Sequence, residues 1–154
     1  MTAAARAVGD AEVPKETRVL CSGILRKVAV ILIVEDEAFI RDLAVMLIED
    51  WGHSVLTSGS VEGALGILRS AQPIDALFTD IRLSNDLFGG CDLADQALAL
   101  RPGLRVLYTT GASATDALKA LFVVGGHFLG KPYSPHQLRN SVDGLLAAQV
   151  FQCR

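Results

Sequence analysis

From Lys27 onward the chain alternates short apolar or β-branched runs with longer segments whose apolar residues recur at helical spacing. That is the pattern of βα units laid on a parallel sheet. Five units can be counted, with strands expected at Val28–Val34, Ser54–Thr57, Ala76–Thr79, Leu104–Thr109 and His127–Leu129. The first, third and fourth are almost unbroken apolar runs, as strands covered on both faces are. The first helix is expected from about Glu37 to Trp51, with Phe39, Ile40, Leu43, Met46, Leu47 and Ile48 as its apolar stripe and Gly52 as its stop. Ser60 is placed to cap a second helix through Leu68. A third runs from Cys91 to Leu100 before Pro102-Gly103, and a fourth from Ala114 to Phe122. Ser134-Pro135 opens a fifth, which turns Leu138, Val142, Leu145 and Leu146 inward.

The fold class that follows is α/β, a doubly wound five-stranded parallel sheet. The 154 residues suit one domain, and 51% hydrophobic against 20% charged residues allows a large core. The expected division is a poorly ordered leader over 1–26, one domain over 27–148 and a tail over 149–154, which leaves no room for a second folded domain. Fourteen Lys and Arg against seventeen Asp and Glu exclude a nucleic-acid footprint carried by bulk charge. The longest clean apolar run, Val28 to Val34, is far short of the ~20 residues of a spanning helix. Cys21, Cys91 and Cys153 form no close pair, which argues against a disulfide framework or zinc site and for a reducing, cytoplasmic setting. Cys91, at a helix start, is a candidate for a lowered thiol pKa and a redox role. His53, His127 and His136 are scattered, without ligand-like spacing.

Ligands of open α/β sheets bind beyond the carboxyl ends of the strands. Here the first strand runs into Glu35-Asp36-Glu37, the third into Asp80, the fourth into Thr109-Thr110-Gly111, and the fifth is followed by Lys131-Pro132. Carboxylates crowded at one edge call for a raised pKa or a hard cation, and Mg²⁺, which needs only one or two of them, can also grip a phosphoryl group. A carboxylate can itself be the nucleophile of an acyl phosphate, with a lysine and a threonine hydroxyl to meet the phosphoryl oxygens.

These residues resemble the receiver domain of two-component response regulators over roughly 27–148. The resemblance is carried by Val30-Ile31-Leu32-Ile33-Val34-Glu35-Asp36-Glu37, Leu77-Phe78-Thr79-Asp80-Ile81-Arg82, Leu107-Tyr108-Thr109-Thr110-Gly111 and Phe128-Leu129-Gly130-Lys131-Pro132-Tyr133. Separations of 44 residues from Asp36 to Asp80, 30 to Thr110 and 21 to Lys131 are close to those of the family. The resemblance implies a flavodoxin-like sheet of order 2-1-3-4-5. It implies that Asp80 accepts a phosphoryl group from a histidine kinase or phosphotransferase, with Mg²⁺ held by Glu35, Asp36, Asp80 and the backbone carbonyl of Arg82. Lys131 would pair with the phosphoryl oxygens, Thr110 would turn toward them, and Phe128 would change exposure with Thr110. A commonly cis Lys131-Pro132 bond and a protein partner on the face of the fourth helix, fifth strand and fifth helix are implied as well, with no enzymatic turnover beyond loss of the phosphoryl group.

Three departures stand out. Glu35 occupies a place where the family often has Asp. The segment Ile81–Gly90 lacks a Met-Pro pair and is about two residues longer than typical. Thr110-Gly111 is similar to a stand-alone subgroup with Thr-Gly-aromatic, but Ala112 stands at the aromatic position. Two other classes remain for comparison. A Mg²⁺-dependent phosphohydrolase with an Asp nucleophile needs an acid two residues on, where this chain has Arg82, and a dinucleotide site needs a GxGxxG loop that the first strand does not lead into. A receiver-like scaffold that binds partners without phosphorylation is the third reading.

Overall fold

The computed structural model describes residues 27–148; the expected leader and tail, and with them Cys21 and Cys153, lie outside the described residues. Five strands, β1 (Val30–Val34), β2 (Ser54–Ser58), β3 (Ala76–Asp80), β4 (Arg105–Thr110) and β5 (His127–Gly130), alternate with five helices, α1 (Ala38–Asp50), α2 (Val61–Arg69), α3 (Gly89–Leu100), α4 (Asp116–Lys119) and α5 (Pro135–Ala147). The strands form one parallel sheet in the order β2-β1-β3-β4-β5.

Period-two alternation divides the core between the two faces of this sheet. Ile31, Ile33, Ala76, Phe78 and Leu107 pack under α1 and α5, with Ala44, Ile48, Leu138, Val142 and Leu145. Leu32, Val34, Leu77, Val106 and Tyr108 face the other way, onto α2 and α3 and the segment after α4. Local signals set the helix starts. Ser60 accepts from the Gly63 N–H at 3.1 Å, and Ser134 and Gln137 form a reciprocal capping box ahead of Pro135. Gly52, at φ +93°, ends α1 in the conformation that glycine adopts most readily.

Strand β1 is shorter than the apolar run that announces it, since pairing begins only at Val30, whereas β3, β4 and β5 each extend one residue further, to Asp80, Thr110 and Gly130. Helix α3 begins at Gly89, two residues before Cys91. Two expectations need larger correction. Phe39, Leu43 and Met46 are exposed on α1, at 82%, 42% and 59%; they lie about 150° around the helix from the buried line of Ala44 and Ile48. The fourth helix is one turn long rather than nine residues. Thr115 caps it, and beyond Lys119 the bonds tighten to Leu121 N–H→Leu118 C=O and Phe122 N–H→Lys119 C=O. The tighter coil brings Phe122 onto Tyr108, ring centroids 4.3 Å apart, while the Val123 N–H donates to the Tyr108 hydroxyl at 3.1 Å. Burial of that aromatic pair takes the place of further helix.

Candidate functional site

Because the strands are parallel, their carboxyl ends share one edge, and register fixes what meets there. Asp80 pairs with Thr109, Thr110 pairs with Gly130, and the Lys131 N–H donates to the Thr110 carbonyl at 2.9 Å. Residues far apart in sequence thereby converge. The Lys131 Nζ donates to Glu35 Oε2 at 2.7 Å and to Asp80 Oδ2 at 3.0 Å. The Lys131-Pro132 bond is cis. Oxygens of Glu35, Asp36 and Asp80 all lie within 4.8 Å of one another.

Each carboxylate is held separately. Glu35 is buried; its Oε1 accepts the Glu37 N–H at 3.1 Å, and its main-chain carbonyl accepts from the Arg41 guanidinium at 2.9 Å. Burial pushes its carboxyl pKa up, against the opposing pull of Lys131. Asp36 is exposed. Its modest burial acts upward, but hydrogen bonds, led by the Ser84 N–H at 2.8 Å, hold its carboxyl below the usual value. Asp80 Oδ1 accepts the Arg82 N–H at 3.3 Å. For Lys131, burial acts downward and is outweighed by the hydrogen bonds to Glu35 and Asp80, so the ammonium is held charged above its ordinary range.

The other candidates flank this cluster. Thr110 is buried, and its hydroxyl accepts the Ala112 N–H at 3.3 Å. Phe128 lies opposite Tyr108 in the β4–β5 register, so it shares a sheet face with Tyr108 and Thr110. It stacks on Phe122 at 6.0 Å, in one column with Tyr108. Arg82 brings its N–H to Asp80, and its side chain is exposed. Cys91 does not have the lowered thiol pKa expected at a helix start. It is buried in the core, and burial, helped by Asp92 and Asp95, pushes it up to about 11. His53, His127 and His136 are not brought into the acidic cluster.

Three contributors went unseen in the sequence. The longer loop after Asp80 folds into a small hairpin in which Leu83 and Asp86 exchange backbone hydrogen bonds at 3.1 and 3.0 Å, turning through Ser84 at φ +55°. That turn aims the Ser84 N–H at Asp36. Gly90 packs against the end of β3: its N–H donates to the Ile81 carbonyl at 2.8 Å, and a Cβ there would stand 2.0 Å from the Asp80 carbonyl oxygen. Arg41, one helical turn beyond Glu37, ties α1 to the Glu35 backbone. Of these, only the Gly89-Gly90 pair was a readable signal, of close backbone approach.

A family model described as the response regulator receiver domain matches residues 31–143. The chain belongs to this family. The receiver is 38% identical over 125 residues to the alginate biosynthesis transcriptional regulatory protein AlgB of Pseudomonas aeruginosa, covering 80% of this chain and 26% of AlgB. It is 33% identical over 117 residues to the transcriptional regulatory protein CreB of Escherichia coli, covering 74% of this chain and 49% of CreB. The receiver thus spans about a quarter to a half of the length of these relatives. Among solved structures, a response regulator receiver protein from Sinorhizobium medicae superposes with a TM-score of 0.71 at 29% identity, covering 79% of this chain and 96% of that one. A CheY-like receiver domain protein from Methanospirillum hungatei does so with 0.68 at 26%, covering 77% and 94%. Receiver domains are signalling domains of two-component systems, generally not enzymes, and bind Mg²⁺ at an acidic pocket. Among the described residues no helix is long and apolar enough to cross a membrane.

Proposed function

We propose that this receiver takes a phosphoryl group onto Asp80 from a phosphohistidine of a histidine kinase or phosphotransferase, and that the modification changes its affinity for a protein partner. The observation that carries the reading is the double hydrogen bond of Lys131 to Glu35 and Asp80 within an all-oxygen cluster completed by Asp36. Three carboxylates meet one ammonium, and the excess negative charge fits a hard divalent cation with oxygen ligands. Glu35, Asp36, Asp80 and the Arg82 carbonyl would hold Mg²⁺, which when bound neutralises charge on the transferring phosphoryl oxygens.

In the transfer, an Asp80 carboxylate oxygen forms a bond to phosphorus as the bond from phosphorus to the donor nitrogen breaks; with the donor ring protonated on its other nitrogen, the products are an acyl phosphate and a neutral imidazole. Lys131 exchanges one carboxylate partner for a phosphoryl oxygen and keeps its charge. Thr110, at the end of β4, leaves the Ala112 N–H to donate its hydroxyl to the new oxygens, vacating space toward which Phe128 moves. The readout face is then α4, β5 and α5, a module that works by binding rather than turnover. We also place its action in the cytoplasm, through another protein, with no direct contact of the receiver itself to nucleic acid or membrane.

The test is intact mass after incubation with a small-molecule phosphodonor, with and without Mg²⁺, in the native chain and in Asp80→Asn. The expected result is a gain of one phosphoryl group that needs Mg²⁺ and is lost in the variant. Absence of the gain from both a small donor and a phosphorylated histidine kinase, with Mg²⁺ bound, would overturn the proposal and leave the unphosphorylated scaffold.

A further inference from the structure

Among the described residues, one buried hydroxyl beside the acidic site lacks a partner. Three threonines meet at the carboxyl ends of β3 and β4, all of them buried. The Thr79 hydroxyl donates to the Asp80 carbonyl at 2.9 Å, and the Thr110 hydroxyl accepts the Ala112 N–H at 3.3 Å. The Thr109 hydroxyl, on a residue only 2% exposed, meets no hydrogen-bond partner among the described residues. Folded proteins rarely bury a hydroxyl in that state, and an ordered water is the usual remedy. The surroundings suit one. Thr109 pairs with Asp80 in the β3–β4 register, so both side chains leave the sheet on one face, which is the face of Leu107 under α1 and α5. There Glu35, Arg41, Asp80, Thr109 and Tyr133, together with apolar side chains of β1, β3 and α1, line a cavity of about 10 Å³, the size of one water.

We propose that this cavity holds one ordered water, which accepts a hydrogen bond from the Thr109 hydroxyl and donates one to a carboxylate oxygen of Asp80. The directions follow from the groups. An ionised carboxylate can only accept, so the water donates to Asp80 and is left to accept from the hydroxyl. Asp80 has capacity for it: Oδ2 takes Lys131 at 3.0 Å and Oδ1 takes the Arg82 N–H at 3.3 Å, which leaves about half of a carboxylate's acceptor sites open. The Arg41 guanidinium and the Tyr133 hydroxyl belong to residues on the same walls and are further polar neighbours for the water. Thr109 is thereby a positioning residue. Through the water it fastens the Asp80 carboxylate to β4 from the side of the sheet, while Lys131 holds the same carboxylate from beyond β5. Held at both places, the oxygen that attacks phosphorus keeps a narrow range of orientations. That consequence rests on Asp80 being the phosphoacceptor, whereas the water itself does not.

Three measurements on the full native chain, Thr109→Val and Thr109→Ser decide it. Valine keeps the shape and loses the hydroxyl, and serine keeps the hydroxyl and loses a methyl group. A high-resolution crystal structure of the native chain is expected to show a water within hydrogen-bond distance of both Thr109 Oγ1 and an Asp80 carboxylate oxygen, kept in Thr109→Ser and lost in Thr109→Val. In equilibrium urea unfolding, Thr109→Val is expected to lower the midpoint, because a bridged hydroxyl has a bond to lose; for a hydroxyl buried without one, the same substitution would raise it. With a small-molecule phosphodonor and saturating Mg²⁺, the rate of phosphoryl gain is expected to fall by about fivefold in Thr109→Val, the counterpart of one lost hydrogen bond, and to be largely recovered in Thr109→Ser. A role in packing alone would reverse that order, with serine the slower of the two. No water at this place in the native crystal structure, or a raised midpoint in Thr109→Val, would overturn the proposal. Equal rates in the native chain and Thr109→Val, or serine slower than valine, would overturn the positioning role. The crystal structure and the unfolding need no phosphorylation, so a native chain that gains no phosphoryl group defeats the reading of Asp80 while these two still decide the water.

Discussion

At the scale of single residues, the clearest constraint is Gly90. A methyl group there would stand 2.0 Å from the Asp80 carbonyl oxygen and 2.8 Å from the Ile81 Cα, both backbone atoms that cannot rotate away. Gly90→Ala must push α3 from the end of β3 and is expected to cost about 3 kcal/mol or more, measured by urea unfolding. Cys91, the next residue, gives a pH prediction. Its thiol ionises near 9.0 in the unfolded chain and near 11 in the folded one, so between those values the unfolded state binds fewer protons and stability falls as pH rises. The drop in urea midpoint from about pH 8 to about pH 10.5 is expected to be smaller in Cys91→Ala than in the native chain. The acids, the lysine and the threonine were legible because each ends or follows a strand, and a parallel sheet brings all such ends to one edge. The Ser84 contact to Asp36 was not, because it is a backbone N–H placed by a left-handed turn and carries no side-chain signature.

At the scale of elements, strands buried on both faces were easy to read, since apolar continuity is itself the requirement. The first and fourth helices show where periodicity falls short. In α1 the i, i+3, i+4 pattern spans more of the circumference than the sheet can cover, and the small side chain of Ala44 marks the face that sits close. In α4, a fit to helical spacing could not register that Phe122 gains more by stacking on Tyr108 than by extending the helix. Helix starts were better determined because a cap is local chemistry. For α5, with its full capping box, Ser134→Ala removes the acceptor for the Gln137 N–H and is expected to lower stability by about 1 kcal/mol. Equilibrium urea unfolding checks this, with an unchanged m-value showing that the compactness of the two states is preserved.

At the scale of the whole molecule, the acidic site exists only in the folded chain. Glu35 and Asp36 come from one strand end and Asp80 from another, and their oxygens gather within 4.8 Å only once β1 and β3 have paired. A cation held there binds the native state and has little to hold in the unfolded one, so its binding must appear as stability. At about ten times its dissociation constant, Mg²⁺ would add about 1.4 kcal/mol, a shift of several degrees in Tm for a domain of this size. Thermal unfolding of the native chain is therefore expected to move upward with added MgCl₂ and back with EDTA. In Asp36→Asn, which alters an exposed side chain outside the core, the fold should persist while the Mg²⁺-dependent shift shrinks. An equal shift in the native chain and in Asp36→Asn would place the cation elsewhere on the surface. That result would remove the charge balance on which the proposed phosphoryl transfer to Asp80 depends.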